Sequence, residues 1–493
     1  MNHVFTKELL PCLLCYDAPC SQHCKEGMDP AKIIRSIRLE NRIGGMEKIR
    51  DCCFSCDAPC EKHCVLHRKL PIKHIMENFY DYKTMRKFTY DKVDLSTEIC
   101  GIKIENPFLL SSSVVSSSYD MCKRALQAGW AGVCFKTICM MDIHEASPRF
   151  SAVKSIDGAF VAFRNIEQLS DHSLTENFAI FHRLKEEFPT KFLLVSIMGR
   201  DEEEWRYLAK EAEKSGADAL ELNFSCPNMT EEFTGSDVGQ IPELVERYTR
   251  VVKESVSIPV ISKLTPNVMT MSPAAEAAKR GGADGIAAIN TIKSITDLNV
   301  IHSLDGEVAD SNILVGGLSG PSVKPIALRF ISELSQNENL KGIHISAMGG
   351  IYTWIDAASF IALGAGSLQV TTAVMEYGYR IIDDLVEGLQ LYLAFHKLSS
   401  VKELQGALLN RVTPVTEIER DYVIYPKFIR EKCVGCGRCY ISCQDGGHQA
   451  IKFENRVPTL DPKKCVGCHL CIMVCPNESV VSSEIKVKKQ PIQ

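Results

Sequence analysis

Eight cysteines between Cys433 and Cys475 leave the end of this chain few ways to fold. Cys433, Cys436, Cys439 and Cys443 are spaced C-x2-C-x2-C-x3-C. Cys465, Cys468, Cys471 and Cys475 repeat that spacing, with Pro476 next. Three thiolates on one tight loop can cap three irons of a cubane while the fourth comes from a following helix. In tandem runs of this kind, the fourth cysteine serves the other cluster. The spacing therefore assigns Cys433, Cys436, Cys439 and Cys475 to one [4Fe–4S] cluster, and Cys465, Cys468, Cys471 and Cys443 to a second. Gly435 and Gly467 are expected to let each loop turn tightly. Gln444 stands where proline usually follows the fourth cysteine, which changes a cluster's surroundings without removing a ligand. Two tandem four-cysteine runs would be an odd arrangement for zinc.

A second array opens the chain. Nine of the 22 cysteines lie between Cys12 and Cys64. Cys12, Cys15, Cys20 and Cys24 follow C-x2-C-x4-C-x3-C; Cys53, Cys56, Cys60 and Cys64 follow C-x2-C-x3-C-x3-C, with Cys52 as an alternative first ligand. LCYDAPCSQHC recurs as SCDAPCEKHC, with one residue fewer before DAP. Asp29-Pro30 reads as a helix start, with Ile33, Ile34 and Ile37 on one face. Residues 1–85 are expected to form a small helical domain holding two further [4Fe–4S] clusters. These spacings are less diagnostic, so zinc stays open. A ligand swap like that of the tail leaves the partition of these cysteines open too.

Between the arrays the pattern is that of an α/β protein. Short apolar runs at 107–110, 132–136, 192–197, 219–223, 260–263, 285–289, 344–347 and 367–370 read as strands. Amphipathic stretches such as 202–215 and 272–281 separate most of them. Eight such units over residues 90–395 predict a (β/α)8 TIM barrel. The polar stretch 290–320 is long for an ordinary loop, and long βα loops usually carry function. Residues 396–424 read as a linker with a short helix, and 425–485 as the compact ferredoxin-like 2×[4Fe–4S] domain.

Composition narrows the function. A net charge of −5 does not favour a general nucleic-acid binder, because such a protein sets surplus cations against phosphates. No run approaches the ~18 apolar residues of a membrane span. The first residues have no apolar core of signal-peptide type. A cytoplasmic protein is expected, and in a reducing compartment clustered cysteines point to metal rather than disulfides. No G-x-G-x-x-G follows a strand, so a dinucleotide-binding Rossmann unit is not expected.

The active site of a (β/α)8 barrel lies at the C-terminal ends of its strands. Polar residues at those places are the candidates. They are Ser111–Ser113 after the first strand, Lys136 and Thr137 after the second, and Asn165 in the long segment beyond it. Asn223, Ser225 and Cys226 follow the fourth strand, Lys263 ends the fifth, and Asn290-Thr291 follow the sixth. Gly349-Gly350 and Thr371-Thr372 follow the last two, where this fold usually binds phosphate. A lone lysine at a strand end is more often an ion-paired or snorkelling residue. A lone buried cysteine is more often inert packing, the reading given to Cys100, Cys122, Cys134 and Cys139. Cys226 differs by its place between Ser225 and Pro227 at a catalytic strand end.

LNFSCPNMTEEFTGSDVGQ, SKLTPNV, AAINTIKSIT, GGLSGPSVKPIALR, AMGGI and LQVTTAV resemble the dihydropyrimidine dehydrogenase family. Within it they are similar to the pyrimidine-reducing subunit of the bacterial NAD-dependent enzymes. That family shares the FMN-binding, dihydroorotate dehydrogenase-like barrel. The resemblance covers roughly residues 90–480. It implies that Cys226 exchanges a proton with C5 of uracil or thymine while the flavin exchanges hydride with C6. It implies substrate contacts from Asn165, Asn223, Phe224, Ser225, Asn290 and Thr291. FMN contacts would fall on Ser112, Lys136, Thr137, Asn165, Lys263, Gly317, Gly349, Gly350, Thr371 and Thr372. A partner subunit binding FAD and NAD, or a ferredoxin, would supply electrons, and an oligomer is implied. Dihydroorotate or another cyclic enone or amide is the alternative substrate. The chain departs from the bacterial subunit at its beginning, where a cysteine-rich segment precedes the barrel directly.

Overall fold

Parallel strands buried on both faces need near-continuous apolar runs, and eight such runs close a barrel. The computed structural model describes residues 8–84, 91–156, 158–296, 298 and 313–488. The barrel strands are β1 (Phe108–Leu110), β2 (Gly132–Ile138), β3 (Phe192–Ile197), β4 (Ala219–Phe224), β5 (Val260–Leu264), β6 (Gly285–Ala288), β7 (His344–Met348) and β8 (Ser367–Val370). They pair in sequence order, and β8 closes on β1 through Leu368↔Phe108 and Val370↔Leu110. All eight strands expected from the sequence are therefore present and joined in one closed sheet. Helices cover them. Glu202–Lys214, for example, is started by the Asp201 carboxylate, which accepts from the backbone of Glu203 and Glu204, the usual device for satisfying free N–H groups at a helix start.

The stretch 290–320 differs from the expected loop. Its described ends are the strands Ile292–Ser294 and Gly316–Ser319. They join Phe160–Asn165 and Phe150–Lys154 in a four-stranded antiparallel sheet, with Gly317 opposite Asn165 and Lys293 opposite Gly317. Residues 299–312 lie outside the described residues.

The chain divides into two units, 1–410 and 411–493. The boundary falls inside the expected linker. Residues before it belong to the barrel: Val401–Leu404 is a short helix, and Leu408 N–H donates to Ala362 O at 3.0 Å.

The N-terminal segment has its own apolar core, built on Ile33, Ile34, Ile37, Ile72 and Met76. The helix Pro30–Arg38 starts at Asp29 as expected, with the carboxylate accepting from Lys32 N–H. The segment is not an independent unit, however, because it is seated on the barrel helix Ile382–Phe395. Arg35 Nε lies 2.7 Å from Asp384, and both side chains are buried. Ser36 Oγ donates to the same carboxylate at 2.5 Å, and Trp354 Nε1 donates to Glu40 O at 2.8 Å. Hydrogen bonds to a charged group are worth about 1.5–3 kcal/mol. Asp384→Asn is thus expected to loosen this seat by about that amount. Limited proteolysis reads the change as earlier release of residues 8–84, with the barrel fragment intact.

The second unit pairs Tyr422–Phe428 with Val480–Lys488, and Ile451–Glu454 with Val457–Leu460, both antiparallel. Its helices Arg438–Gly446 and Leu470–Met473 follow the cysteine loops. Gly435 and Gly467 have φ of +64° and +71°. A Cβ on either would meet a backbone oxygen, Arg456 O at 2.6 Å or Ile424 O at 2.7 Å. Only glycine fits such positions without strain.

Candidate active site

A cavity open to solvent lies at the C-terminal ends of the barrel strands. Strand alternation decides which side chains reach it. On β4, Glu221 and Asn223 face the barrel interior while Phe224 points into the helical layer, its ring 5.3 Å from that of Trp205. Phe224 therefore does not line the cavity, contrary to the expectation from resemblance. Ser112, Lys136, Thr137, Asn165, Asn223 and Cys226 do line it. Lys263, Asn290, Thr291, Gly349, Gly350, Thr371 and Thr372 line it as well. Ser225 and Gly317 stand one layer back, holding neighbours in place.

Cys226 is held by its own strand end. Asn223 Oδ1 accepts from Cys226 N at 3.2 Å, Ser225 N at 3.2 Å and Ser225 Oγ at 2.8 Å. Asn290 Nδ2 donates to Ser225 Oγ at 2.9 Å, and Asn223 Nδ2 donates to Thr137 Oγ1 at 2.9 Å. One N–H of the Asn223 amide is left for a ligand. Burial pushes the Cys226 thiol up to about 11. The backbone near Asn228 lowers it, the Glu145 carboxylate raises it, and Lys263 and Lys136 lower it. At neutral pH this sulfur carries its proton.

The two lysines are paired. Lys136 Nζ lies 2.6 Å from Glu167 and 3.5 Å from Glu145. Lys263 Nζ lies 3.1 Å from Glu221 and donates to Ser112 Oγ at 2.9 Å. Glu221 is fully buried, and Ser112 Oγ and Gln369 Nε2 donate to it at 2.7 and 3.0 Å. Burial opposes its ionisation, but Lys263, Gln369 and Ser112 outweigh it and hold the carboxyl below its usual range. Burial and Glu167 push the Glu145 carboxyl up, against Gln168 N–H, Lys136 and Arg149.

At the far end, Ser113 Oγ and Thr371 Oγ1 lie 3.2 Å apart, and Ser319 Oγ and Thr372 Oγ1 2.9 Å apart. Gly349 and Gly350 have φ of +116° and +81°, so their backbone turns in a way open to glycine. Sequence reasoning missed Glu167, Gln168, Asn228, Gln369 and Tyr352, which also line the cavity. Asn228 Nδ2 donates to Asn165 Oδ1 at 3.3 Å, and the PN dipeptide after Cys226 was the available signal.

Three sets of four cysteines line shared cavities. Cys433, Cys436, Cys439 and Cys475 line one cavity of the second unit, and Cys443, Cys465, Cys468 and Cys471 line another. In the N-terminal segment, Cys24 shares a cavity with Cys53, Cys56 and Cys60. Burial pushes Cys60 up to about 12, and the charges of Glu61, Cys56 and Cys24 add to it, against the Glu61 backbone. Burial raises Cys12, the Leu14 backbone and Arg38 lower it, and Cys20 and Cys15 raise it. The two half-sites match in detail. Ala18 and Ala58 are left-handed at φ 42° and 50°, each before a proline-led helical turn. His23 and His63 stack at 3.5 Å with their rings 8° apart. The side chain of Cys52 lies outside the described residues. Among the described residues no helix is long and apolar enough to cross a membrane.

The dihydroorotate dehydrogenase family model matches residues 94–393, and the 4Fe-4S dicluster domain model matches 427–482. Neither reaches the cysteines between 12 and 64. The NAD-dependent dihydropyrimidine dehydrogenase subunit PreA of Escherichia coli K12 is 49% identical over 398 residues, 80% of this chain and 97% of that protein. The chloroplastic dihydropyrimidine dehydrogenase (NADP(+)) of Arabidopsis thaliana is 33% identical over 66% of this chain and 79% of its own length. The catalytic subunit of dihydroorotate dehydrogenase B (NAD(+)) from Pyrococcus abyssi is 38% identical over 64% of this chain and 99% of its own. This chain belongs to the dihydroorotate dehydrogenase family, as an oxidoreductase whose barrel is followed in sequence by a 4Fe-4S dicluster domain.

Proposed function

We propose that the chain reduces uracil or thymine to the 5,6-dihydro form, with FMN in the barrel and electrons supplied through iron–sulfur clusters by a partner. The observation that carries this reading is Cys226, a buried thiol held at its strand end by the Asn223 side chain, on the wall of the cavity that also gathers Lys136, Lys263, Asn165 and Asn290.

The residues fit the cofactor. Gln369 Oε1 is buried without a hydrogen-bond partner at the cavity wall, and a flavin N–H would satisfy it. Lys263 and Ser112 would hold the pyrimidine edge of the ring, where negative charge develops on reduction. Lys136 and Thr137 would flank it. Gly349, Gly350, Thr371 and Thr372 would hold the phosphate. FMN, when bound, supplies hydride to C6 of the substrate.

The chain's own groups do the rest. Asn165, Asn223, Asn290 and Thr291 orient the flat ring through its carbonyl and N–H groups. Cys226 gives its proton to C5 as charge develops there, a general-acid step. The four-cysteine sets of the second unit hold two [4Fe–4S] clusters. Those of the N-terminal segment hold two more, one on Cys24, Cys53, Cys56 and Cys60 and the other on Cys12, Cys15, Cys20 and Cys64. A subunit binding FAD and NAD, or a ferredoxin, reduces them, in an oligomer of the cytoplasm.

Anaerobic purification with flavin, iron and sulfide quantitation tests the cofactors. Steady-state assay against uracil, thymine and orotate tests the substrate. Turnover of orotate without uracil would overturn the choice in favour of the dihydroorotate reading, which the similarity to the Pyrococcus abyssi subunit supports.

A further inference from the structure

One short segment touches both the flavin cavity and the N-terminal cysteines. Thr371, Thr372 and Met375 line the cavity just beyond β8. They lead into the helix Thr372–Tyr377. At the far end, Arg380 Nη2 donates to Leu14 O at 2.7 Å, between Cys12 and Cys15, and Arg380 Nε donates to Tyr377 O at 3.1 Å. Arg38 Nη1 donates to Cys12 O at 2.6 Å on the same loop. Two guanidinium groups thus grip the first cysteine turn, and one of them belongs to the barrel. At 1.5 Å per residue, the six residues of this helix span about 9 Å.

The ring of Tyr377 packs on both cores, the barrel's and the one containing Cys12 and Cys20. Its centroid lies 6.3 Å from that of Tyr352, edge to face at 88°. Tyr352 lines the cavity beside Gly350 and Ile351. Cysteine loop, Tyr377, Tyr352 and cavity wall therefore form one continuous packed path within residues 12–380.

From this path, and resting on the reading that the N-terminal cysteines hold clusters, we infer that the N-terminal array reduces the flavin of its own chain through Tyr377 and Tyr352. Two reduced clusters each give up one electron. The two electrons and one proton from solvent convert the oxidised flavin to its anionic reduced form, and both clusters return to their oxidised state. A one-electron carrier of ferredoxin type, or a partner flavoprotein that oxidises NADH, reloads them. The guanidinium groups of Arg38 and Arg380 favour the more negative, reduced state of the adjacent cluster. Tyr377 acts by position, bridging donor and acceptor, and takes no part in the exchange with substrate.

The test is anaerobic stopped-flow reduction of the full-length, cluster-loaded protein by reduced ferredoxin, following the flavin band and the cluster absorbance separately. Tyr377→Leu is expected to slow flavin bleaching by at least an order of magnitude while flavin content, iron content and cluster reduction stay as in the wild type. Tyr377→Phe, which keeps a ring, is expected to retain the wild-type rate. A wild-type rate in Tyr377→Leu overturns the inference and leaves the proposed function standing. If Tyr377→Leu fails to fold, Cys15→Ser replaces it, with loss of the fast bleaching phase expected and its persistence overturning the path. Iron and sulfide sufficient for the C-terminal clusters alone overturns both the path and the N-terminal cluster assignment.

Discussion

Cys226→Ser is expected to lower turnover by about 10²–10⁴-fold, the usual contribution of a positioned proton donor. Flavin content should not change. The hydroxyl fits where the thiol sits and can still accept hydrogen bonds, but its proton is far less acidic, so C5 is left without a competent donor. Reduction of the flavin itself does not involve this residue, so that half-reaction should keep its wild-type rate. The pH dependence follows from burial. An ordinary thiol loses its proton at about 8.5, whereas Cys226 is pushed up to about 11. The donor form is present below that value and lost above it. Turnover is therefore expected to show no alkaline fall through pH 8–9 that can be assigned to Cys226, and iodoacetamide should label this thiol slowly there. Unchanged turnover in Cys226→Ser would remove the proposed proton step.

The barrel was legible because its strands are buried on both faces. Runs such as FLL at β1 and FLLVSI at β3 are almost wholly apolar, a pattern that parallel strands demand. The antiparallel sheet over the barrel mouth was not legible. Phe150–Lys154 and Ile292–Ser294 are exposed or half-buried short strands, and the sheet that joins them runs across roughly 150 residues of chain. No local period marks such a pairing. The seat of the N-terminal segment was hidden for a similar reason. Arg35 and Asp384 read as ordinary charges on two helices until the fold buries them together.

Within the site, strand ends were the productive signal. Lys136, Lys263, Cys226 and the hydroxyls after β8 all reach the cavity. Phe224 was misplaced because its motif was read as a block, while the two-residue alternation of β4 sends it outward from Asn223. Glu167 and Gln168 escaped notice because they follow a strand of the unrecognised sheet. The cysteine partition was legible at the tail, where the spacing itself encodes the swap. At the other end, only the shared cavity of Cys24 with Cys53, Cys56 and Cys60 separates the two sets.

Glu221 carries the second large expectation. It is the buried counter-ion of Lys263, and Glu221→Gln leaves that ammonium uncompensated inside the barrel. Removing one partner of a buried ion pair typically costs about 3–5 kcal/mol, so the flavin-free variant should unfold at markedly lower urea. The sign with pH follows from the direction of the shift. Glu221 has its carboxyl held below the usual range, so its contribution is complete above the unfolded carboxylate value of about 4.3. It is lost as pH falls through the lower, folded value. The gap between wild type and Glu221→Gln should be widest at neutral pH and close on acidification. The same exchange changes what a bound flavin meets. With Glu221 present, the pair at the cavity wall is neutral; with glutamine, a net positive charge remains on Lys263. Reduction places negative charge on the ring edge, so the flavin of Glu221→Gln should be reduced at a higher potential than that of the wild type. Spectroelectrochemical titration measures this, and an unchanged potential together with unchanged stability would show that Lys263 and Glu221 do not act as a pair.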